Sequence, residues 1–150
     1  MLVREIMTPD PITVECVTPL AEAIGLMRER CVRRLPVMRD TTLIGIVTDR
    51  DLRDATPPEA TRMSLWELGY SLARAPVERF MAPDVATVRS DDPFEKVAML
   101  MYRRKIGGIP VVDDGRLVGI VTESDVFRTI IRSQGAWQKP EPIALADAVI

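Results

Sequence analysis

Apolar residues early in the chain recur at two spacings, and the change from one to the other marks out the elements. Leu20, Ala23, Ile24 and Met27 fall at i, i+3, i+4 and i+7, which predicts an amphipathic helix with a charged outer face. The runs at 35–38 and 43–48 are short, apolar and rich in β-branched residues, as two buried strands joined by a turn at 39–42 would be. Ile12, Thr13 and Val14 predict a further short strand ahead of the helix. Thr18-Pro19 reads as an N-cap residue followed by proline at the first helical position, and Pro36 suits a strand start or an edge. The second long run stops at Thr48, with Asp51 three residues on. That is a capping-box signature, and it predicts a second helix from Asp49 to about Ala55. The order is β-α-β-β-α.

The same order returns at an offset of 74 residues, without a gap, from Val3 to Asp54. Met7, Pro9, Asp10, Thr13, Val14 and Pro19 recur as Met81, Pro83, Asp84, Thr87, Val88 and Pro93. Gly45-Ile46-Val47-Thr48 recurs as Gly119-Ile120-Val121-Thr122, and Asp51 as Asp125. About a third of the aligned positions are identical, so the chain is a tandem duplication. The second helical stripe is Phe94, Val97, Ala98 and Met101, after an Asp92-Pro93 cap. A strand at 85–88, two more at 109–112 and 117–122, and a helix from Glu123 to about Ser133 complete the second copy. Its turn, Asp113-Asp114-Gly115-Arg116, is a good hairpin signal; Arg39-Asp40-Thr41-Thr42 lacks glycine and is a poorer one. The chain thus divides into repeat one at 1–55, a connecting stretch at 56–76, repeat two at 77–133 and a tail at 134–150. In the connecting stretch Pro57-Pro58 ends the preceding helix. Ser64-x-x-Glu67 then opens another, whose Trp66, Leu68, Gly69, Leu72 and Ala73 make a partly apolar face for the body of the protein or for a partner. Gly135 and Pro140-x-Pro142 end the last helix, and the stretch from Ile143 to Ile150 is apolar enough to dock.

Composition narrows the function classes. With 47% hydrophobic and 28% charged residues the chain reads as an ordinary soluble globular protein. Its net charge of −2 argues against non-specific attraction to nucleic acid or acidic membranes. No uncharged apolar run of about 18 residues suggests a membrane span, and the N-terminus lacks the apolar core of a secretory signal. There is no histidine, which removes the commonest general base and metal ligand. Cys16 and Cys31 have no C-x-x-C spacing, so the expectation is two buried packing residues in a reducing compartment such as the cytoplasm, with no metal site.

The doubled unit resembles a pair of cystathionine-β-synthase (CBS) domains, the tandem arrangement called a Bateman module. The residues carrying the resemblance are Ile6-Met7-Thr8-Pro9, Leu35-Pro36-Val37 and the corner from Gly45 to Asp51. In repeat two they are Phe80-Met81-Ala82-Pro83, the run from Ile106 to Asp113 and the corner from Gly119 to Asp125. The resemblance implies an α/β (α+β) fold in which two repeats pack sheet to sheet about a pseudo-two-fold axis, leaving two clefts. It also implies a homodimer, as a flat disc of four CBS units. The clefts would bind adenosine compounds that regulate a partner, with no cofactor required and no catalytic residue.

By that resemblance Asp51 and Asp125 accept hydrogen bonds from ribose hydroxyls, a task for which an ionised carboxylate is apt. Thr48 and Thr122, at helix starts, would favour a phosphate, and so would Arg33, Arg34 and Lys105. Adenine would meet the backbone at Ile12, Thr13 and Val14 and at Val85, Ala86 and Thr87, with apolar walls at Val32 and Ile106. Two plainer readings stand beside these. Thr-x-x-Asp is also an ordinary cap, and the basic run Arg103-Arg104-Lys105 also suits a solvated helix end. Gly107-Gly108 stand where repeat one has Arg33-Arg34; they are turn residues or let a ligand approach the backbone, and either way the clefts are not equivalent.

Three function classes follow. The first is a non-catalytic sensor of AMP, ADP or ATP that signals by conformational shift. The second is an interaction or dimerisation module with degenerate or empty sites, or with a site for S-adenosylmethionine or a dinucleotide. An enzyme is the weakest, since no Gly-rich phosphate loop followed by Lys and no nucleophile-base arrangement supports it.

Overall fold

The computed structural model describes residues 1–55 and 64–133; the predicted break at Pro57-Pro58 and the tail from Gly135 onward lie outside them. Six strands and five α-helices follow in chain order among the described residues. The first half gives β1 (Thr8–Pro9), β2 (Val14–Glu15), α1 (Leu20–Glu29), β3 (Arg34–Arg39), β4 (Thr42–Thr48) and α2 (Asp49–Arg53). The second gives α3 (Leu65–Arg74), α4 (Phe94–Arg104), β5 (Gly108–Asp113), β6 (Arg116–Thr122) and α5 (Glu123–Ser133).

The β3–β4 and β5–β6 hairpins are copies to the residue. Leu35 faces Val47 as Ile109 faces Val121, and both ladders slip at the same place, between Val37 and Met38 and between Val111 and Val112. The poorer turn signal makes a two-residue hairpin all the same, because Asp40 takes the left-handed conformation at φ 54°, as Asp114 does at φ 48°. Aspartate tolerates that region better than most residues.

The opening segments are exchanged between the repeats. β1, from repeat one, pairs antiparallel with β6 of repeat two, Thr8 opposite Ile120 and Pro9 opposite Gly119. Reciprocally, Ala82 of repeat two bridges Ile46 in β4, donating to its carbonyl at 2.9 Å and accepting from its N–H at 3.1 Å. The two three-stranded sheets therefore run β2-β3-β4 and β1-β6-β5. The cores follow the exchange. Fully buried Val77 packs with Leu35, Val37 and Val47, while fully buried Val3 packs with Ile109, Val111 and Val121. β4 and β6 meet across the two sheets, as expected of repeats packed sheet to sheet.

The exchange explains a glycine and a methionine in each copy. A Cβ on Gly119 would lie 2.5 Å from Sδ of Met7 and 3.1 Å from the carbonyl oxygen of Thr8. On Gly45 it would meet Met81, with Cγ at 2.9 Å, and the carbonyl oxygen of Ala82 at 3.1 Å. Each methionine thus lies on the bare backbone of the other repeat's corner strand. The stripe methionines have the expected core role: Met27 and Met101 are buried beside Ala23 and Val97.

Several local expectations need correction. The strand expected at 85–88 is reduced to one parallel bridge from Val88 to Val111, and that at 12–14 moves to Val14–Glu15, because only Val14 and Glu15 reach β3. Helix α2 ends at Arg53, with Asp54 as its C-cap. Pro19 and Pro93 are themselves the N-caps, with extended backbone, so Thr18 and Asp92 stand one residue outside α1 and α4. Asp92 accepts instead from Lys96 Nζ at 2.7 Å and from the Arg89 N–H at 2.8 Å, which hold its carboxyl below the usual range. Pro36 lies in a central strand, tolerated because the short ladder to β2 begins one residue later, at Val37. Cys16 is buried as expected, but Cys31 is exposed in the left-handed turn that ends α1, at φ 53°. The Ser64–Glu67 capping box forms, and Leu72 packs on the first core, yet Trp66 and Tyr70 stay 87% and 64% exposed.

A Gly45→Val substitution should force Met81 off the corner and cost about 1–3 kcal/mol in urea unfolding, as overpacking does. In a Met81→Ala background the same substitution should cost less, because the side chain it displaces is gone.

Candidate functional site

Each strand-to-helix corner begins with a threonine whose N–H and hydroxyl are held by the acid three residues on. Thr48 is extended, at φ −109° and ψ 162°, and its Oγ1 accepts from the Asp51 N–H at 3.2 Å. In return Oδ2 of Asp51 accepts from the Thr48 N–H and hydroxyl, both at 2.8 Å. The ordinary capping reading is therefore correct for this pair. It leaves Oδ1 of Asp51 without a hydrogen bond among the described residues, so capping does not exhaust the carboxylate. At the second corner Oδ2 of Asp125 accepts from the Thr122 N–H at 2.8 Å and hydroxyl at 2.7 Å. Its Oδ1 is taken as well, by Nη1 of Arg128 at 2.9 Å, and Asp125 is only 6% exposed.

The exchange of opening segments sets each corner against a wall from the other repeat. The larger cleft, about 550 Å³, has Thr48 and Asp51 on one side and Val85, Ala86 and Ile106 on the other. The smaller, about 410 Å³, has Thr122 opposite Ile12 and Val32. Arg33, Arg34 and Glu123 line both clefts. Lys105 lines the larger one from the left-handed turn that ends α4, at φ 56°, with its ammonium 4.6 Å from the Tyr102 ring centre.

Four of the residues expected at a site line neither cleft. Asp125 is buried under Arg128. Val14 points into the first core, since the pairing of β2 with β3 turns its side chain inward. Thr13 and Thr87 alternate with buried Val14 and Val88 and face outward.

Gly107 and Gly108 serve a purpose that the sequence did not suggest. A Cβ on Gly107 would collide with Arg34, with Nη2 in contact and Cζ at 3.0 Å, and one on Gly108 would lie 2.7 Å from its Cδ. The paired glycines are the bed on which Arg34 crosses from one repeat to the other.

The larger cleft also gathers Arg104, from the basic run that ends α4, and residues that a copy-by-copy reading passed over: Asp49, Arg50, Arg53, Asp84 and Glu123. Comparison of the copies carries a signal for two of them, since Arg50 and Arg53 stand where repeat two has Ser124 and Phe127. Arg53 is paired with Asp49 at 3.0 Å, and Oδ2 of Asp51 is engaged by Thr48. That leaves Arg33, Arg34, Arg50, Arg104 and Lys105 facing Asp51, Asp84 and Glu123, a net positive cleft. In the smaller cleft Arg33 and Arg34 balance Asp10 and Glu123. Its lining thus lacks the positive excess of the larger cleft. No cluster of three or more metal-ligating side chains occurs among the described residues.

Comparison with known proteins gives the same architecture. The CBS domain family model matches twice, at residues 3–57 and 77–132. A CBS domain-containing protein of Dictyostelium discoideum is 34% identical over 134 residues, which cover 88% of this chain and 92% of that protein. An L-aspartate semialdehyde sulfurtransferase of Methanocaldococcus jannaschii is 31% identical, and there the match spans 85% of this chain but only 23% of the longer enzyme. Among solved structures, the CBS domain pair of protein MJ0100 in complex with 5′-methylthioadenosine and S-adenosylmethionine aligns with a TM-score of 0.72 at 30% identity, over 89% of this chain and 98% of that one. CBSX2 in complex with AMP aligns with a TM-score of 0.73 at 31% identity, with the same coverage of both chains.

Replacing Thr48 by valine removes the acceptor for the Asp51 N–H and one donor to its carboxylate. The expected cost is about 1 kcal/mol, the usual loss for an N-cap, measured by chemical denaturation.

Proposed function

The chain belongs to the CBS domain family, and from that membership and the larger cleft we propose that it is a non-catalytic regulatory module for an anionic adenine nucleotide. The observation that carries the reading is that Asp51, whose Oδ1 has no hydrogen bond among the described residues, lines a cleft of about 550 Å³ with a net positive lining. A ribose diol donates to that oxygen, the base lies against Val85, Ala86 and Ile106, and the phosphates meet Arg50, Arg104 and Lys105. Charge selects among adenosine compounds. AMP, ADP and ATP are anions, whereas S-adenosylmethionine carries a sulfonium that the same arginines repel.

Nucleotide in this cleft touches the corner of repeat one and the wall of repeat two at once. It therefore favours whichever relative placement of the repeats lets both be reached. Binding must differ between two such states to signal at all, because a ligand with equal affinity for both shifts nothing. The partner that reads the shift is a separate or attached protein. A homodimer is part of the same proposal: Phe127, Ile130 and Ile131 form an exposed apolar stripe at i, i+3 and i+4 of α5, suited to a second copy of the chain.

Thermal melting with AMP, ADP, ATP and S-adenosylmethionine tests the nucleotide reading. A nucleotide at a hundred times its dissociation constant should add about 2.7 kcal/mol of stability. The effect should grow with phosphate number, fade with added salt and vanish in Asp51→Ala. Silence across the panel would end the sensor reading, and a shift from S-adenosylmethionine equal to that from ATP would refute the anionic cleft. Light scattering after size exclusion should show a dimer that Phe127→Glu converts to monomer; a monomeric parent chain would remove the dimer from the proposal.

A further inference from the structure

The two corner carboxylates differ in one hydrogen bond. Oδ2 does the same work in both, holding the threonine N–H and hydroxyl. Asp51 lines the larger cleft and its Oδ1 has no hydrogen bond among the described residues, while Oδ1 of Asp125 is held by Arg128 at 2.9 Å, with the Asp125 side chain only 7% exposed. The position 74 residues before Arg128 is Asp54, an acid with no cationic N–H to offer. One reversal of charge, on the fourth residue of the repeated Asp-x-x-x segment, separates an open carboxylate from a closed one.

We propose that Arg128 is a built-in occupant of the second corner: its guanidinium holds the carboxylate oxygen that a ribose diol would need, so that the chain takes one nucleotide, in the larger cleft. The inference rests on the nucleotide reading of Asp51 given above and extends it to stoichiometry. The guanidinium–carboxylate bond joins two opposite charges, whereas a ribose hydroxyl would bring only an uncharged donor to the same oxygen. A diol at the second corner would also have to reach a buried oxygen across a cleft whose lining lacks a positive excess to hold its phosphates. Arg128 is itself 46% exposed, so the latch lies at the surface, where substitution can release it without opening the core.

The test counts ATP bound per chain at saturation, by equilibrium dialysis or calorimetry. The parent chain should bind one and Asp51→Ala none. Arg128→Met keeps much of the side chain's apolar stem and drops the cation, and it should raise the count by one. Asp51→Ala with Arg128→Met should bind one, and adding Asp125→Ala should return the count to none. Arg128→Gln serves as the second variant if Arg128→Met does not melt cooperatively. The latch stands on that added, Asp125-dependent site. Two nucleotides on the parent chain, residual binding in Asp51→Ala that Asp125→Ala abolishes, or a folded Arg128 variant that gains nothing would each overturn it. A parent chain that binds no ATP, or binds it independently of Asp51, would refute the nucleotide reading separately.

Discussion

The structure depends on the seating of Met7 on Gly119 and of Met81 on Gly45. Each pair joins the opening segment of one repeat to the corner strand of the other. The backbone can come this close only because the corner residue has no Cβ. The neighbouring anchors, Val3 and Val77, have no exposed surface and complete the opposite core. Neither hydrophobic cluster is therefore made from one repeat alone. The sheets are short, three strands each with outer strands of only two residues at β1 and β2, so the borrowed segments supply a large share of what closes them.

The same exchange builds the clefts. Because Ala82 is held on Ile46 by two backbone hydrogen bonds, the chain that follows it runs past Thr48 and Asp51, and residues 84–86 become the far wall. The site is thus a consequence of how the cores are closed. It also follows that anything held in the cleft touches both repeats, which is the geometry a conformational sensor requires.

Duplication then lets two similar sites diverge. Gly107-Gly108 in repeat two make room for the side chain of Arg34, so one repeat lends its cation across the interface to the other. Arg50 adds a positive charge to the first corner where the second has Ser124, and Arg128 holds the second carboxylate where Asp54 stands in the first. The backbone symmetry is close, down to the slip in both hairpins. The chemical symmetry is not.

The duplication at 74 residues, the hairpins, the two amphipathic helices and the capped corners were all legible in the sequence, because each is fixed by residues close together along the chain. Periodicity reports which face of an element is buried, and Thr-x-x-Asp reports a cap, without reference to anything distant. The opposite holds for the exchange of segments. Met7-Thr8-Pro9 has the same local pattern whichever repeat it joins, and only packing places it on β6. Asp51 and Asp125 are an intermediate case: the corners up to them nearly match, but the residue three further on is Asp54 in one and Arg128 in the other, and an acid's availability depends on what reaches its second oxygen. Arg128 was visible as a residue, but its bond to Asp125 is a matter of where the second turn of α5 directs a long side chain. The sequence by itself determined that there are two corners and that only the second is followed by an arginine three residues past its acid; the tertiary structure decided which wall each one faces, because that depends on contacts between residues far apart in the chain.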